Sequence, residues 1–154
     1  MLFIYEAVFY PEEEGGYSVI FPDFGQGTCG EDIKDATEMA ADWLETKIGF
    51  NLAVDFAIPE PTYGNQGENG ERVAVIAVHI DKDEVVEYWG WVSTKRAAKE
   101  LRCTPGHVRN LALQGVLRSR KKGRDLEIFY RDVLKREAEN VKPGPKPRRE
   151  LAAA

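Results

Sequence analysis

The charge of this chain changes sign part-way along it. Through Val92 it carries 4 Lys and Arg against 19 Asp and Glu, a net of −15; from Ser93 onward it carries 17 against 7, a net of +10. A single mixed surface does not sort its charges this way, so the division argues for two folded units that meet different partners. The basic part suits a polyanion, whereas the acidic part would repel one and suits a basic partner. With 154 residues there is room for two small domains. No run of about 18 apolar residues is present, so a membrane helix is not expected. The opening Met1–Glu6 lacks the basic region of a leader peptide. Cys29, Cys103, His79 and His107 make no metal-site spacing. These features predict a reduced, cytoplasmic protein with no metal and no cofactor.

Leu2–Tyr10 and Tyr17–Phe21 are rich in aromatic and β-branched residues around a Gly15-Gly16 turn and read as a strand hairpin. A short third strand is expected around Gln26–Cys29. Ile33, Ala36, Ala40, Trp43, Leu44 and Ile48 then fall on one face at helical spacing, with Asp32 as N-cap and Gly49 as the stop. Val73–Ile80 is almost unbroken apolar sequence and predicts a central strand covered on both faces. The order β-β-β-α-β predicts an α+β unit over residues 1–80. Residues 81–91 read as an acidic linker, with Trp89 and Trp91 on one face of a short strand against the second unit.

Ser93 or Thr94 starts a helix through Leu101, and Thr104 with Pro105 starts another that ends at Gly115. Short strands are expected at Val116-Leu117 and Leu126–Tyr130, around a basic hairpin tip at Ser119–Asp125. A last helix capped by Asp132 runs to about Glu139. This mainly helical unit spans 92–140. The Pro-rich basic tail, 141–154, has too little apolar content to bury a core and is expected to be disordered.

The run Tyr17-Ser-Val-Ile-Phe-Pro-Asp23, with Gly30-Glu-Asp-Ile-Lys-Asp-Ala36 and Met39-Ala-Ala-Asp-Trp-Leu44, resembles the HicB antitoxin family over about residues 1–80. Its Phe24–Gly30 loop is one residue shorter than the family's usual form. The resemblance implies a partial RNase-H-like β-β-β-α-β domain, in a bacterial chain, that neutralises a HicA-like ribonuclease toxin. Residues 92–140 resemble the MerR/excisionase type of winged helix-turn-helix through Val92-Ser-Thr-Lys-Arg-Ala-Ala98, Leu101, Val108-Arg109, Gly115-Val-Leu117, Gly123-Arg124 and Ile128. Arg96 stands where many relatives carry a capping Glu, and Arg102 where a turn Gly is common. Together the two resemblances imply an antitoxin that also represses its own operon as a homodimer or higher oligomer on operator DNA.

Such a domain reads base edges from the start of its second helix, where His107, Arg109 and Asn110 stand. Arg pairs with guanine and Asn with adenine. Arg118, Arg120, Lys121, Lys122 and Arg124 of the hairpin suit backbone contacts. For the toxin, Asp23, Glu31 and Asp35 are the candidate contacts. Carboxylates at Glu6, Asp23, Asp35 and Asp42 raise the question of a degenerate nuclease, but no spacing converges them on a metal, and an enzyme is not expected. The other alternative is a stand-alone transcriptional regulator whose first domain senses a ligand or protein.

Overall fold

The structure, a computed structural model, describes residues 1–139. The predicted basic tail and the end of the predicted second domain lie outside the described residues. The chain is mixed α+β and divides into two compact units, Met1–Gly90 and Trp91 onward.

The first unit contains β1 (Leu2–Pro11), β2 (Tyr17–Phe21), β3 (Gln26–Gly30), α1 (Ile33–Ala53), β4 (Arg72–His79) and α2 (Lys82–Trp89). The strands form one antiparallel sheet in the order β3-β2-β1-β4. Alternate residues Tyr5, Ala7 and Phe9 of β1, Val19 and Phe21 of β2, and Ile76 and Val78 of β4 point to one face. There they meet Ala36, Ala40, Leu44 and Ile48, a row at every fourth position of α1. Small residues at the start of that row let helix and sheet approach closely. Ile33, predicted on the same face, overhangs the core and is exposed. Asp32 caps α1, its carboxylate accepting the Asp35 N–H at 2.8 Å.

Three sequence expectations change here. Gly49 does not stop α1, which continues to Ala53. A Cβ at Gly49 would lie 2.7 Å from the Trp89 ring and 3.2 Å from Val85, so this glycine is a seat for α2. Residues 82–89 are accordingly not a linker. Asp81 caps a helix there, accepting the N–H groups of Asp83 and Glu84, and Val85 and Trp89, one turn apart, pack on α1. Trp89 therefore sits in a helix of the first unit, not on a strand face shared with Trp91. Finally, β4 is an edge strand paired only with β1. Its Ile76 and Val78 are buried, while Val75, Ala77 and His79 are exposed; an unbroken apolar run does not by itself distinguish a one-sided strand from a two-sided one.

The second unit contains β5 (Trp91–Ser93), α3 (Thr94–Leu101), α4 (Pro105–Leu113), β6 (Ser119–Lys122), β7 (Asp125–Phe129) and α5 (Tyr130–Glu139). Its strands pair antiparallel in the order β5-β7-β6. Ala97, Ala98 and Leu101 of α3, Val108 and Leu111 of α4, and Leu117, Ile128 and Val133 are buried. Ser93 and Thr104 cap α3 and α4 through the N–H groups of Arg96 and His107. Val116-Leu117 is not a strand: both N–H groups turn back to the Leu111 carbonyl and close α4. β6 begins only at Ser119. The hairpin turn is Gly123-Arg124, with Gly123 at φ +64°, the glycine-first pattern favoured in two-residue hairpins. α5 starts at Tyr130, and the Asp132 carboxylate is not its cap, because it is taken by Arg118.

An exposed helix-interior Gly→Ala change gains about 1 kcal/mol of helix propensity. Gly49→Ala is expected to do the reverse, lowering stability by about 1 kcal/mol net as the added methyl pushes α2 away. Urea unfolding with hydrogen exchange over residues 82–89 checks this. A stabilised protein with unchanged α2 protection would contradict the seat assigned to Gly49.

Candidate functional site

In the first unit β1 pairs with β2 only over Val8–Pro11, so the first half of β1 lacks a strand partner on that side. The segment 59–65 is bound there instead. Tyr63 donates to the Ile4 carbonyl at 2.9 Å. The Gly64 and Asn65 N–H groups and the Asn65 side-chain amide donate to the Glu6 carboxylate at 3.0, 2.9 and 2.7 Å. Those donors hold the Glu6 carboxyl below its ordinary range, Gly64 first and then Asn65. Tyr5 donates to the Pro59 carbonyl; burial, with Asp23 and Glu60 nearby, pushes its phenol up and keeps it a donor. Asp23 accepts the Thr62 N–H and hydroxyl at 3.0 and 2.6 Å. Two of the carboxylates weighed for a nuclease, Glu6 and Asp23, thus hold a strap in place. Among the described residues no three His, Cys, Asp or Glu are grouped to hold a metal.

Of the three candidate toxin contacts, the structure brings Glu31 and Asp35 together and leaves Asp23 with the strap. Glu31 and Asp35 line a shallow groove of about 380 Å³ beside edge strand β3, with Glu12, Tyr17, Cys29 and Met39. Asp35 also serves locally, accepting the Glu31 N–H at 2.8 Å, and Glu12 accepts from the Ser18 hydroxyl. Met39 is 40% exposed, so the groove combines acidic groups with an apolar surface. Sequence reasoning missed Glu12, Tyr17 and Met39. Met39 was detectable as an apolar residue off the buried row of α1. Asp42 is exposed on α1 and His79 at the outer edge of β4.

In the second unit His107, Arg109 and Asn110 are all exposed on α4. The five hairpin cations divide. Arg118 makes a two-pronged contact with Asp132 at 3.0 and 2.9 Å, adds its N–H at 2.8 Å, and lies 4.2 Å from the Phe129 ring centroid. Arg120 pairs with Glu127 across the hairpin at 2.8 Å and lies 4.5 Å from the Trp91 ring centroid. Both guanidiniums fasten the hairpin to its own unit. Lys121, Lys122 and Arg124 are exposed along the strand and its turn. Burial pushes the Asp132 carboxyl up, but its bonds from Arg118 outweigh this and leave it below the usual carboxylate range.

No helix among the described residues is long and apolar enough to cross a membrane. The model of the HicB-like antitoxins of bacterial toxin–antitoxin systems matches residues 4–81. A comparison with curated proteins found no match. Among solved structures, a chain of a toxin–antitoxin complex from Streptococcus pneumoniae is similar at 20% identity, covering 75% of this chain and 99% of that one with a TM-score of 0.46. A likeness that weak carries no argument about function.

Because the folded-state carboxyls of Glu6 and Asp132 are depressed, the stability they add is full above their unfolded values of about 4. It is lost as pH falls through their lower folded values. Asp132→Asn is expected to cost about 1 kcal/mol at pH 7, below the usual range for a charged hydrogen bond because Arg118 is largely solvent-exposed. It should cost less at pH 3, below the unfolded value. Urea midpoints at the two pH values test this; an equal loss at both would show that the charge of Asp132 plays no part.

Proposed function

The chain belongs to the HicB-like antitoxins of bacterial toxin–antitoxin systems, and on that premise we propose that it neutralises a small basic ribonuclease toxin of the HicA kind and represses its own operon. The family match over residues 4–81 carries this reading. The first unit is then a partial RNase-H-like fold that holds the toxin, and the acidic surplus before Val92 supports a basic partner. The groove with Glu12, Glu31 and Asp35 beside Tyr17 and Met39 fits such a partner. Surface ion pairs alone are weak, and an interface needs an apolar centre as well as charge. Glu6 and Asp23 hold the strap, and in this reading the first unit acts by covering the toxin.

The second unit is then a winged helix-turn-helix. α4 is the helix offered to the major groove, and the β6–β7 hairpin is the wing. Support comes from the two capped helices joined by a three-residue turn, the exposed His107, Arg109 and Asn110, and the exposed wing cations Lys121, Lys122 and Arg124. Arg118 and Arg120, occupied by Asp132 and Glu127, set the wing's position and take a lesser share in binding. A homodimer or higher oligomer would match two half-sites of a palindromic operator.

The test is rescue of cells expressing any short basic protein found encoded beside this chain. Residues 1–90 alone should restore growth, and Glu31→Arg in the full chain should weaken the complex about tenfold by placing like charges together. If the folded 1–90 fragment leaves the toxin active, the first unit is not the neutralising one. If no basic neighbour binds the full chain while promoter DNA does, the protein is a stand-alone regulator.

A further inference from the structure

Val108 and Leu111 bury one side of α4. At about 100° per residue, its remaining side chains fall into three rows. Gly106, Asn110 and Leu113 stand opposite the core, with Arg109 on one flank and His107 on the other, about 160° away. The Arg109 flank faces the wing. Arg109 lines a cleft of about 250 Å³ with Arg124 of the hairpin turn, Thr94 at the start of α3, and Asp125 and Glu127 of β7. The Glu127 carboxylate is held by Arg120 at 2.8 Å, which leaves Asp125 as the acidic group facing the two guanidiniums. On the outer row Leu113 is 86% exposed, an apolar side chain with no core to fill, three residues from Asn110.

Resting on the DNA-binding function proposed for this unit, we propose that Arg109 and Arg124 together grip one DNA backbone phosphate, and that sequence is read by the outer row, Asn110 on an adenine and Leu113 on a thymine methyl. A side chain that shares a cleft with the wing points toward the groove wall, where phosphates run, and away from base edges at the groove floor. A phosphate accepts guanidinium forks from two directions at once. Asn is the side chain that pairs bidentately with adenine, and apolar groups recognise the thymine methyl. Three residues along a helix is one turn's neighbour, which sets the two readers on adjacent base pairs. Arg109 thereby moves from the guanine-reading role expected from sequence to the backbone, and the operator half-site gains an A·T-rich step under α4.

The experiment is fluorescence anisotropy on the full-length protein over a salt series, with two duplex probes: a fragment spanning the chain's own promoter and a scrambled fragment of equal composition. Arg109→Ala and Arg124→Ala should each weaken both probes by the same factor and flatten the salt slope in part, and the double variant should flatten it by about 0.9 for the one phosphate no longer neutralised. Arg109→Lys should recover most of the affinity, because a point charge holds a phosphate but not a guanine edge. Asp125→Asn should tighten both probes. Asn110→Ala and Leu113→Ala should lower the promoter-to-scrambled ratio about fivefold or more with the salt slope unchanged. If Arg109→Ala weakens only the promoter probe, keeps the wild-type slope and is not relieved by Lys, the clamp is overturned while DNA binding stands. Wild-type protein that binds neither probe at low salt overturns the DNA-binding function together with the clamp. All five substituted residues are exposed, and thermal melts establish that each variant is folded.

Discussion

The close approach of helices through small side chains decides what each unit leaves exposed. In the first unit Ala36 and Ala40 bring α1 down onto the sheet, and Leu44 and Ile48 fill the space beyond. That contact fixes which face of each strand is inward, because a one-residue slip would turn every inward side chain outward. Farther along the same helix Gly49 admits Trp89, so α2 also settles on α1. With one side of the sheet so covered, β3 and β4 remain as edges, and the acidic groove lies beside β3. In the second unit Ala97 and Ala98 are the buried small pair of α3. The arrangement presents α4 with a buried side of Val108 and Leu111 and an outer side of polar groups.

Hydrogen bonds and ion pairs then fix the irregular parts that hydrophobic burial does not specify. No residue of the strap at 59–65 is buried, and it is held by Glu6, Asp23 and the first half of β1. The wing is two short, highly charged strands, and Arg118–Asp132 and Arg120–Glu127 tie it down. By residue type alone these carboxylates and guanidiniums resemble functional groups. Their geometry makes them fasteners, while Glu31, Arg109, Lys121 and Arg124 remain exposed.

Much of the fold was legible in the residues. Periodicity gave β1, β2 and α1, and side-chain chemistry gave the caps at Asp32, Ser93 and Thr104, because these signals act within a few residues. What escaped depends on contacts distant in sequence. Gly49 has a helix-stop signature and is instead a seat for Trp89, 40 positions later. Val73–Ile80 carries apolar residues on both faces, and its place at the edge follows only from the pairing of β1 with β2 on the other side. Asp132 has a cap signature, yet Arg118 reaches it first. At the candidate site, residue types marked Glu31, Asp35, Arg109 and Arg124. Only the fold shows that Glu12, Tyr17 and Met39 join the acidic pair and that Arg109 turns toward the wing.

The charge division at Val92 acquires its meaning from the two units: an acidic one shaped around a groove and a basic one shaped around a helix and a hairpin. On the function proposed, surfaces of opposite charge on separate units would let a basic protein and a nucleic acid be held at once, where a single surface would force them to compete. The most direct measurement is sedimentation velocity of the full chain mixed with the proposed basic toxin and a promoter duplex. One ternary species is expected, from which raised salt strips the DNA while the protein pair persists. DNA that displaces the basic protein, stoichiometrically and at low salt, would contradict it, because both partners would then share one surface.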